Sequence, residues 1–247
     1  MPDALRLAIG TLTRLPVPAP RTVDRRMAGV AMSLAPLVSL ALALICGLPL
    51  LIAHERPLTA LIVSIAAFAL LAWATRALHL DGLADTADAL GSGKPAQAAL
   101  EIARKSDIGP FGVLALIFVL LIDIASVASF QQPRDSYLTF VVAIVTSRVA
   151  LTWACTRVWP AARPDGLGAM VAASVPTFIA ALWTIVAIAL AWWLRSTTGA
   201  IGAALGLLAG VTVLAITRRR LGGITGDVLG ATIEVSAAAC LVALALL

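Results

Sequence analysis

The chain has 247 residues, of which 61% are hydrophobic and 13% are charged, and its mean hydropathy is +1.00. Soluble domains carry roughly 25% charged residues, so this composition excludes a water-soluble globular protein. It predicts an all-α, polytopic transmembrane helix bundle in the cell inner (plasma) membrane, formed as one domain over residues 1–247. The formal net charge is +5. The basic residues form no single patch with interleaved aromatics, which excludes a nucleic-acid partner and leaves the lipid bilayer.

Seven stretches are long and apolar enough to cross roughly 30 Å of hydrocarbon as α-helices. In chain order the predicted spans are 28–53, 57–80, 108–130, 137–159, 175–194, 198–216 and 227–247. Prolines lie near the ends of these stretches, where a helix tolerates them. The span at 198–216 is the weakest, and a re-entrant segment there would change the topology that follows it.

Lysine and arginine are distributed very unevenly between the two sides of this predicted bundle. One side holds residues 1–27, 81–107, 160–174 and 217–226, together with the end of the fourth span. Thirteen of the 18 basic residues fall on this side. Three fall on the other side. The positive-inside rule therefore predicts a cytoplasmic N-terminus, a cytoplasmic segment over 1–27 and a cytoplasmic acidic loop or helix over 81–107. An active site formed by these segments would face the cytoplasm.

An acidic run, HLDGLADTAD at 79–88, directly follows the second predicted span. Asp81, Asp85 and Asp88 are spaced i, i+4 and i+7, which places them within a narrow arc of one helix face. Such carboxylates repel one another, and Mg²⁺ is commonly shared between carboxylates and substrate phosphates. The spacing equally fits a solvated acidic turn at a helix N-terminus. His79 is a candidate base, metal ligand or substrate contact, or a structural residue.

A glycine-rich segment, GGITGDVLGATIE at 222–234, opens the last span. Its glycines let the backbone approach a ligand closely, which makes Thr225 and Gly226 candidates for substrate binding. Asp227 and Glu234 share one helix face and are candidate metal ligands. Glu234 lies about two turns inside the membrane, where an ionised group is costly and usually functional. Alternatively the glycines serve helix packing, and Glu234 pairs with a buried arginine.

Several basic and hydroxyl residues are candidates to bind substrate phosphates. They are Arg14, Arg76, Lys105, Ser106 and Arg148. The segment that contains Lys105 and Ser106 also fits an ordinary helix end followed by a turn. Asp123 lies near the middle of the third span, where we expect an ion pair or a hydrogen bond to a neighbouring helix.

Taken together, three motifs resemble the cobalamin synthase family. They are the acidic run at 79–88, IGPFG at 108–112 and the glycine-rich segment at 222–234, and LTRLPVP at 12–18 is similar to the family's opening. The resemblance covers nearly the whole chain in order and spacing. This chain departs from it at 104–107, where RKSD stands in place of a family pattern close to KDSR. The departure puts an acidic ligand or a phosphate clamp at that segment in doubt.

The resemblance implies a Mg²⁺-dependent membrane transferase, adenosylcobinamide-GDP ribazoletransferase, a phosphotransferase for substituted phosphate groups. It would join α-ribazole, or its 5′-phosphate, to adenosylcobinamide-GDP, release GMP and form adenosylcobalamin or its 5′-phosphate. The catalytic residues would be Asp81 and Asp85, which hold Mg²⁺, and Asp88, which completes the coordination or takes the hydroxyl proton. Asp227 and Glu234 would add further metal ligands.

Two other functions fit parts of the pattern. CDP-alcohol phosphotransferases also use aspartate clusters on membrane helices, but their signature begins D-G-x-x-A-R, whereas here Asp85 comes too early and no arginine follows. A transporter would use intramembrane polar residues near the midplane, whereas most polar residues here crowd one edge, which favours an enzyme. Small-residue pairs in the last spans would suit either a homo-oligomer or packing within the chain.

Overall fold

The computed structural model describes residues 1–52, 56–105 and 107–247, and these residues form α-helices joined by short loops. In chain order the helices are α1 (Asp3–Leu12), α2 (Arg25–Ser33), α3 (Ala35–Cys46), α4 (Pro57–Ala74), α5 (Leu78–Gly91), α6 (Ala96–Ile102), α7 (Pro110–Ala128), α8 (Pro133–Ala154), α9 (Gly166–Val171), α10 (Thr177–Leu221) and α11 (Gly226–Leu246). Five helices are long and apolar enough to cross a membrane, or six if α2 and α3 form one bent span. The predicted all-α, multi-pass membrane protein is confirmed.

The first predicted span, 28–53, is a bent pair of helices. The axes of α2 and α3 differ by 43°. Pro36 lies at the start of α3, and a proline there lacks an N–H group and its ring clashes with the carbonyl one turn earlier. The helix therefore breaks at Leu34. A 3₁₀ turn, Leu48–Leu51, follows α3, and residue 53 lies outside the described part of the chain.

The 45-residue helix α10 reverses direction in its middle. A straight helix of that length would measure about 68 Å, twice the hydrocarbon thickness. Its backbone leaves the helical region at Arg195 and Ser196, where Arg195 pairs with Asp135 at the start of α8. The opposite ends of α10 both lie near residues 155–160, because Val175 donates to Cys155 and Arg218 donates to Val158. The two arms correspond to the spans predicted at 175–194 and 198–216, and the count of seven spans stays a prediction.

The second predicted span, 57–80, is too long. Helix α4 ends at Ala74, and Arg76 and Ala77 then adopt left-handed backbone angles, with φ of 57° and 53°. Non-glycine residues adopt this conformation only when their surroundings hold them there. The N-terminal segment does so: the Arg14 N–H donates to Ala74 at 2.7 Å, and Arg76 Nη2 donates to the Gly10 carbonyl at 2.8 Å. The acidic run consequently forms a separate helix, α5.

The segments predicted to share one membrane side lie together in the structure. Arg25 donates to the carbonyl of Ala172, Arg163 donates to the carbonyl of Leu100, and Arg104 bonds Asp165. We call this end of the bundle, which holds residues 1–27, 81–107, 160–174 and 217–226, the basic end. Its assignment to the cytoplasm stays a prediction.

Small residues on the second arm of α10 pack against α11. A Cβ atom at Gly202 would lie 2.7 Å from Leu244, and one at Gly206 would lie 2.8 Å from Cys240. These glycines let the two helices approach closely, as small residues do between membrane helices. The small-residue stripe therefore serves packing within the chain.

Helices α5 and α11 meet backbone to backbone at the basic end. A Cβ at Gly82 would lie 2.7 Å from the Asp227 carbonyl oxygen, and one at Gly230 would lie 2.8 Å from the His79 carbonyl oxygen. Only glycine, which has no side chain, allows the two backbones to approach this closely at both positions. This contact fixes the acidic run of α5 against the first turns of α11.

We expect Gly82→Ala to lower stability by about 1–3 kcal/mol, because the added methyl group forces the two backbones apart. Thermal unfolding in detergent should show a reduced Tm. Gly10→Ala is the matched control: its Cβ would make an ordinary contact at 3.5 Å with Val17, and alanine is the better helix former. A Gly82→Ala protein as stable as the control would contradict the close approach of α5 and α11.

Candidate functional site

A cavity of about 370 Å³ opens at the basic end between α1, α5, α11 and the chain that leads into α9. Asp81 of α5 and Asp227 of α11 both line it, which confirms that the two acidic motifs meet in space. His79, Thr225 and Gly226 line it as well, and their role in substrate binding stays a prediction. Residues from four separate parts of the chain therefore form one pocket.

Three carboxylates, Asp81, Asp85 and Asp227, form what we call the carboxylate group. The pKa of Asp85 is raised to about 6, first by burial and then by the negative charges of Asp81, Asp227 and Asp88. The Arg163 guanidinium opposes this shift but does not cancel it. Burial and the neighbouring carboxylates thus both disfavour the charged form of Asp85.

Asp88 points away from this cavity and caps helix α7. Its Oδ2 accepts from the Gly109 N–H at 2.7 Å and its Oδ1 accepts from the Gly112 N–H at 2.9 Å. The side chain is only 8% exposed, and a Cβ at either glycine would lie 2.4 Å from its carboxylate. The IGPFG motif is therefore the docking site for the last aspartate of the acidic run. Both oxygens of Asp88 are engaged by protein, and its role as catalytic residue or metal ligand stays a prediction.

We expect Asp88→Asn to lower the free energy of unfolding by about 1.5–3 kcal/mol, because an amide has one acceptor oxygen for two backbone donors. The Tm in detergent measures this. Asp81→Asn is the control, since Asp81 is exposed and should tolerate the change. An Asp88→Asn protein with a normal Tm and no turnover would instead favour a catalytic or metal-binding carboxylate.

A second polar cluster lies deeper in the bundle, between α5, α8 and α11. Arg148, only 2% exposed, donates from Nη1 to Ser147 Oγ at 2.9 Å and from Nη2 to His79 Nδ1 at 3.2 Å. Arginine can only donate, so His79 Nδ1 accepts and the ring hydrogen is on Nε2. Glu234 Oε1 lies 3.9 Å from the same Nδ1. Arg148 and Glu234 are thus neighbours at membrane depth, and neither lines the cavity in this conformation.

The expected partner of Asp123 is not found. Asp123 is 1% exposed, and within the described residues it forms no ion pair and its Oδ1 has no hydrogen-bond partner. Glu234 lies in electrostatic range of Asp123, and both side chains are acidic. The expectation was wrong because α7 packs against the acidic helices α5 and α11.

The predicted phosphate-binding cations take other positions. Arg14 lies over the Trp73 ring at 4.2 Å, Arg76 bonds Gly10, and Lys105 is exposed. None of these three lines the cavity in this conformation. Ser106 lies outside the described residues. Their role in phosphate binding stays a prediction.

Two arginines line the cavity, namely Arg104 and Arg163. Arg104 belongs to the 104–112 segment, whose cations could hold phosphate, whereas the sequence pointed to Arg163 only through its predicted membrane side. Arg163 lies in electrostatic range of Asp85 and Asp227, and Arg104 bonds both oxygens of Asp165 at 2.9 Å. The available signal was the turn sequence 163–166, RPDG, which lies on the same predicted side as the acidic run.

The loop from α8 to α9 is tied to the start of α11. Ile224 donates to Pro160 and Ala162 donates to Ile224, both at 2.9 Å. Thr225 then caps α11: its Oγ1 accepts from the Val228 N–H and donates to Asp227 Oδ2, both at 3.2 Å. The helix start, with its positive dipole end, is therefore held at the cavity wall.

The sequence of this chain matches a known protein family over nearly its whole length. The family model described as cobalamin-5-phosphate synthase matches residues 4–245. The chain belongs to the cobalamin-5-phosphate synthase family. The match covers all three motifs that form the site.

Three relatives in this family are each named adenosylcobinamide-GDP ribazoletransferase. The protein from Frankia casuarinae is 41% identical, over 98% of this chain and 94% of its own length. The protein from Nocardioides sp. is also 41% identical, over 98% of both chains, and that from Sinorhizobium medicae is 34% identical, over 99% of this chain and 96% of its own. No solved structure matches the chain.

Each of the three family motifs has a different structural role in this chain. The first motif supplies Asp81 and Asp85 of the carboxylate group, the second motif receives Asp88, and the third motif places Asp227 and the start of α11. The segment 104–107, which departs from the family pattern, contributes Arg104 to the cavity wall. The departure thus retains a cation at the site.

Proposed function

We propose that this chain is an adenosylcobinamide-GDP ribazoletransferase, an enzyme of cobalamin biosynthesis. The observation that carries the proposal is that Asp81 and Asp227, from two separate family motifs, line one cavity at the basic end. A cavity lined by both carboxylates and arginines suits a diphosphate that is bound with a divalent cation. Family membership also disfavours the CDP-alcohol phosphotransferase and transporter alternatives.

The carboxylate group fits Mg²⁺. Carboxylate oxygens are the ligands this ion prefers, and it keeps several positions for water and substrate phosphates. The raised pKa of Asp85 supports this assignment, because burial and the neighbouring aspartates disfavour its charged form, which a bound cation would stabilise. In the described part of the chain, no three acidic, histidine or cysteine side chains are grouped closely enough to hold a metal ion alone. We therefore assign Asp81, Asp85 and Asp227 as ligands that act together with substrate oxygens.

The reaction joins a ribose hydroxyl of α-ribazole, or of its 5′-phosphate, to the phosphorus that bears cobinamide, and GMP leaves. Bound Mg²⁺ would supply charge stabilisation on the phosphates. Arg163, beside Asp85 and Asp227, is placed to bind oxygens of the leaving phosphate, where negative charge grows. Thr225 and the first N–H groups of α11 hold the wall against which the diphosphate lies. A carboxylate of the same group takes the hydroxyl proton.

The site is proposed to face the cytoplasm. The basic end carries most of the arginines and lysines, and the positive-inside rule places such an end in the cytoplasm, where nucleotides are available. Arg14 over Trp73 at this end is also typical of a membrane interface. A homo-oligomer stays a prediction.

The test is direct assay of the purified, detergent-solubilised protein with adenosylcobinamide-GDP, α-ribazole and Mg²⁺. We expect a complete corrinoid and GMP in equal amounts. A parallel reaction with α-ribazole 5′-phosphate identifies the preferred acceptor. Transfer from a CDP-activated donor to glycerol phosphate, with no corrinoid formed, would overturn the proposal.

A further inference from the structure

A second cavity, of about 500 Å³, adjoins the first at the basic end. It lies between helix α6 and the loop that leads into α9. Arg104, Arg163 and Asp165 line both cavities. The two spaces are therefore separated by a wall of charged side chains.

The second cavity is lined by both hydrogen-bond acceptors and hydrogen-bond donors. Gln97 and Glu101 are one turn apart on α6 and both line it. Arg163 and Arg104 line the cavity as well. A guanidinium has five N–H groups, and the described hydrogen bonds of these two arginines use only Nη2 of each. Unused donor groups on the arginines thus line the same cavity as the Glu101 carboxylate.

We propose that this second cavity binds the guanine base of the GDP moiety and of the GMP product, an inference that rests on the proposed function. Guanine offers O6 and N7 as acceptors, which arginine recognises. Its N1–H and N2 amino groups are adjacent donors that one carboxylate can accept together. Glu101 supplies that carboxylate, and Arg104 or Arg163 supplies the donors. Adenine offers an amino group where guanine has O6, so it would face the arginines donor to donor.

The position of Arg163 connects this base site to the reaction site. It lies in electrostatic range of Asp85 and Asp227, and its side chain also lines the second cavity. A nucleotide whose diphosphate lies at the carboxylate group can therefore extend past Arg163 and place its base against α6. Glu101 is then a specificity residue of the transferase rather than a metal ligand.

The experiment measures the Kd of GMP, IMP and AMP for the purified protein, without turnover. IMP lacks only the N2 amino group, so wild type should bind GMP about tenfold more tightly than IMP, and AMP more weakly still, since one hydrogen bond to a charged group is lost. Glu101→Gln should reduce the GMP preference over IMP to about twofold or less. Asp107→Asn, which removes an exposed carboxylate outside the lining, should leave the tenfold preference unchanged.

Two results of the binding measurements would overturn the inference. One is a Glu101→Gln protein that keeps the full GMP preference over IMP. The other is a Glu101→Gln protein whose binding of α-ribazole, and not of GMP, is weakened, which would assign the cavity to the acceptor. The transfer assay on wild type is independent of these measurements. Transfer without guanine selectivity contradicts only the base site, whereas absence of transfer contradicts the proposed function.

Discussion

Asp81→Asn and Asp85→Asn are each expected to reduce ribazole transfer by about a hundredfold or more, with the helices still folded. Each change removes a negative oxygen from the group that is proposed to hold Mg²⁺ against the diphosphate, and loss of one such electrostatic contact typically costs that much in rate. GMP release by purified variants, measured over a Mg²⁺ titration, checks this. Near-normal turnover by both variants at limiting Mg²⁺ would contradict the assignment.

Asp85→Asn should at the same time stabilise the metal-free protein. The pKa of Asp85 is about 6, above its usual 3.8, because burial and neighbouring aspartates disfavour the charged form. The folded wild type therefore loses stability as pH rises from about 4 to about 6, while the variant does not. With a chelator present, the variant should have a higher Tm than wild type above about pH 6, and the two Tm values should converge at about pH 4. Loss of activity together with gain of stability would separate function from folding.

The largest effect on stability is expected for Arg148→Met. This arginine is buried in α8 and bonds His79, with Glu234 beside them. Its removal leaves the His79 acceptor without its donor and takes away a positive charge that acts on Glu234 through space, and removing one partner of such a buried charged arrangement typically costs about 3–5 kcal/mol. A large fall in Tm and low yield of folded protein are the expected observations.

The double variant Arg148→Met, Glu234→Gln is the matched control. With both charges gone, much of the lost stability should return, as happens when energetically coupled neighbours are changed together. If the two changes instead add independently, Arg148 and Glu234 are not energetically coupled in the folded protein.

Long apolar stretches were sufficient to predict that the chain forms membrane helices, because length and hydropathy are local properties. The meeting of the two acidic motifs was also predictable: both lie at predicted span ends on one side, and Asp81 and Asp227 share a cavity. Glycine at position 82 marks the contact, but only the structure shows that it lies against the Asp227 backbone.

The break between α4 and α5 was not predictable from local sequence. No glycine or proline lies at 75–77, and the left-handed turn is held there by hydrogen bonds from and to residues 10 and 14, far away in the chain. The task of Asp88 was missed for a similar reason, since its partners are backbone N–H groups at 109 and 112. Such long-range contacts leave no periodic signal.

The depth of the first cavity has a consequence for the choice of nucleophile. Its lining runs along α11 from Gly226 to Ile233, a distance of about 10 Å, so the cavity extends from the carboxylate group into the bundle. A substrate that fills this space would displace the water beside the carboxylate group. Hydrolysis of the diphosphate should therefore be slow when α-ribazole is absent, and the activated corrinoid should survive on the enzyme until its acceptor arrives.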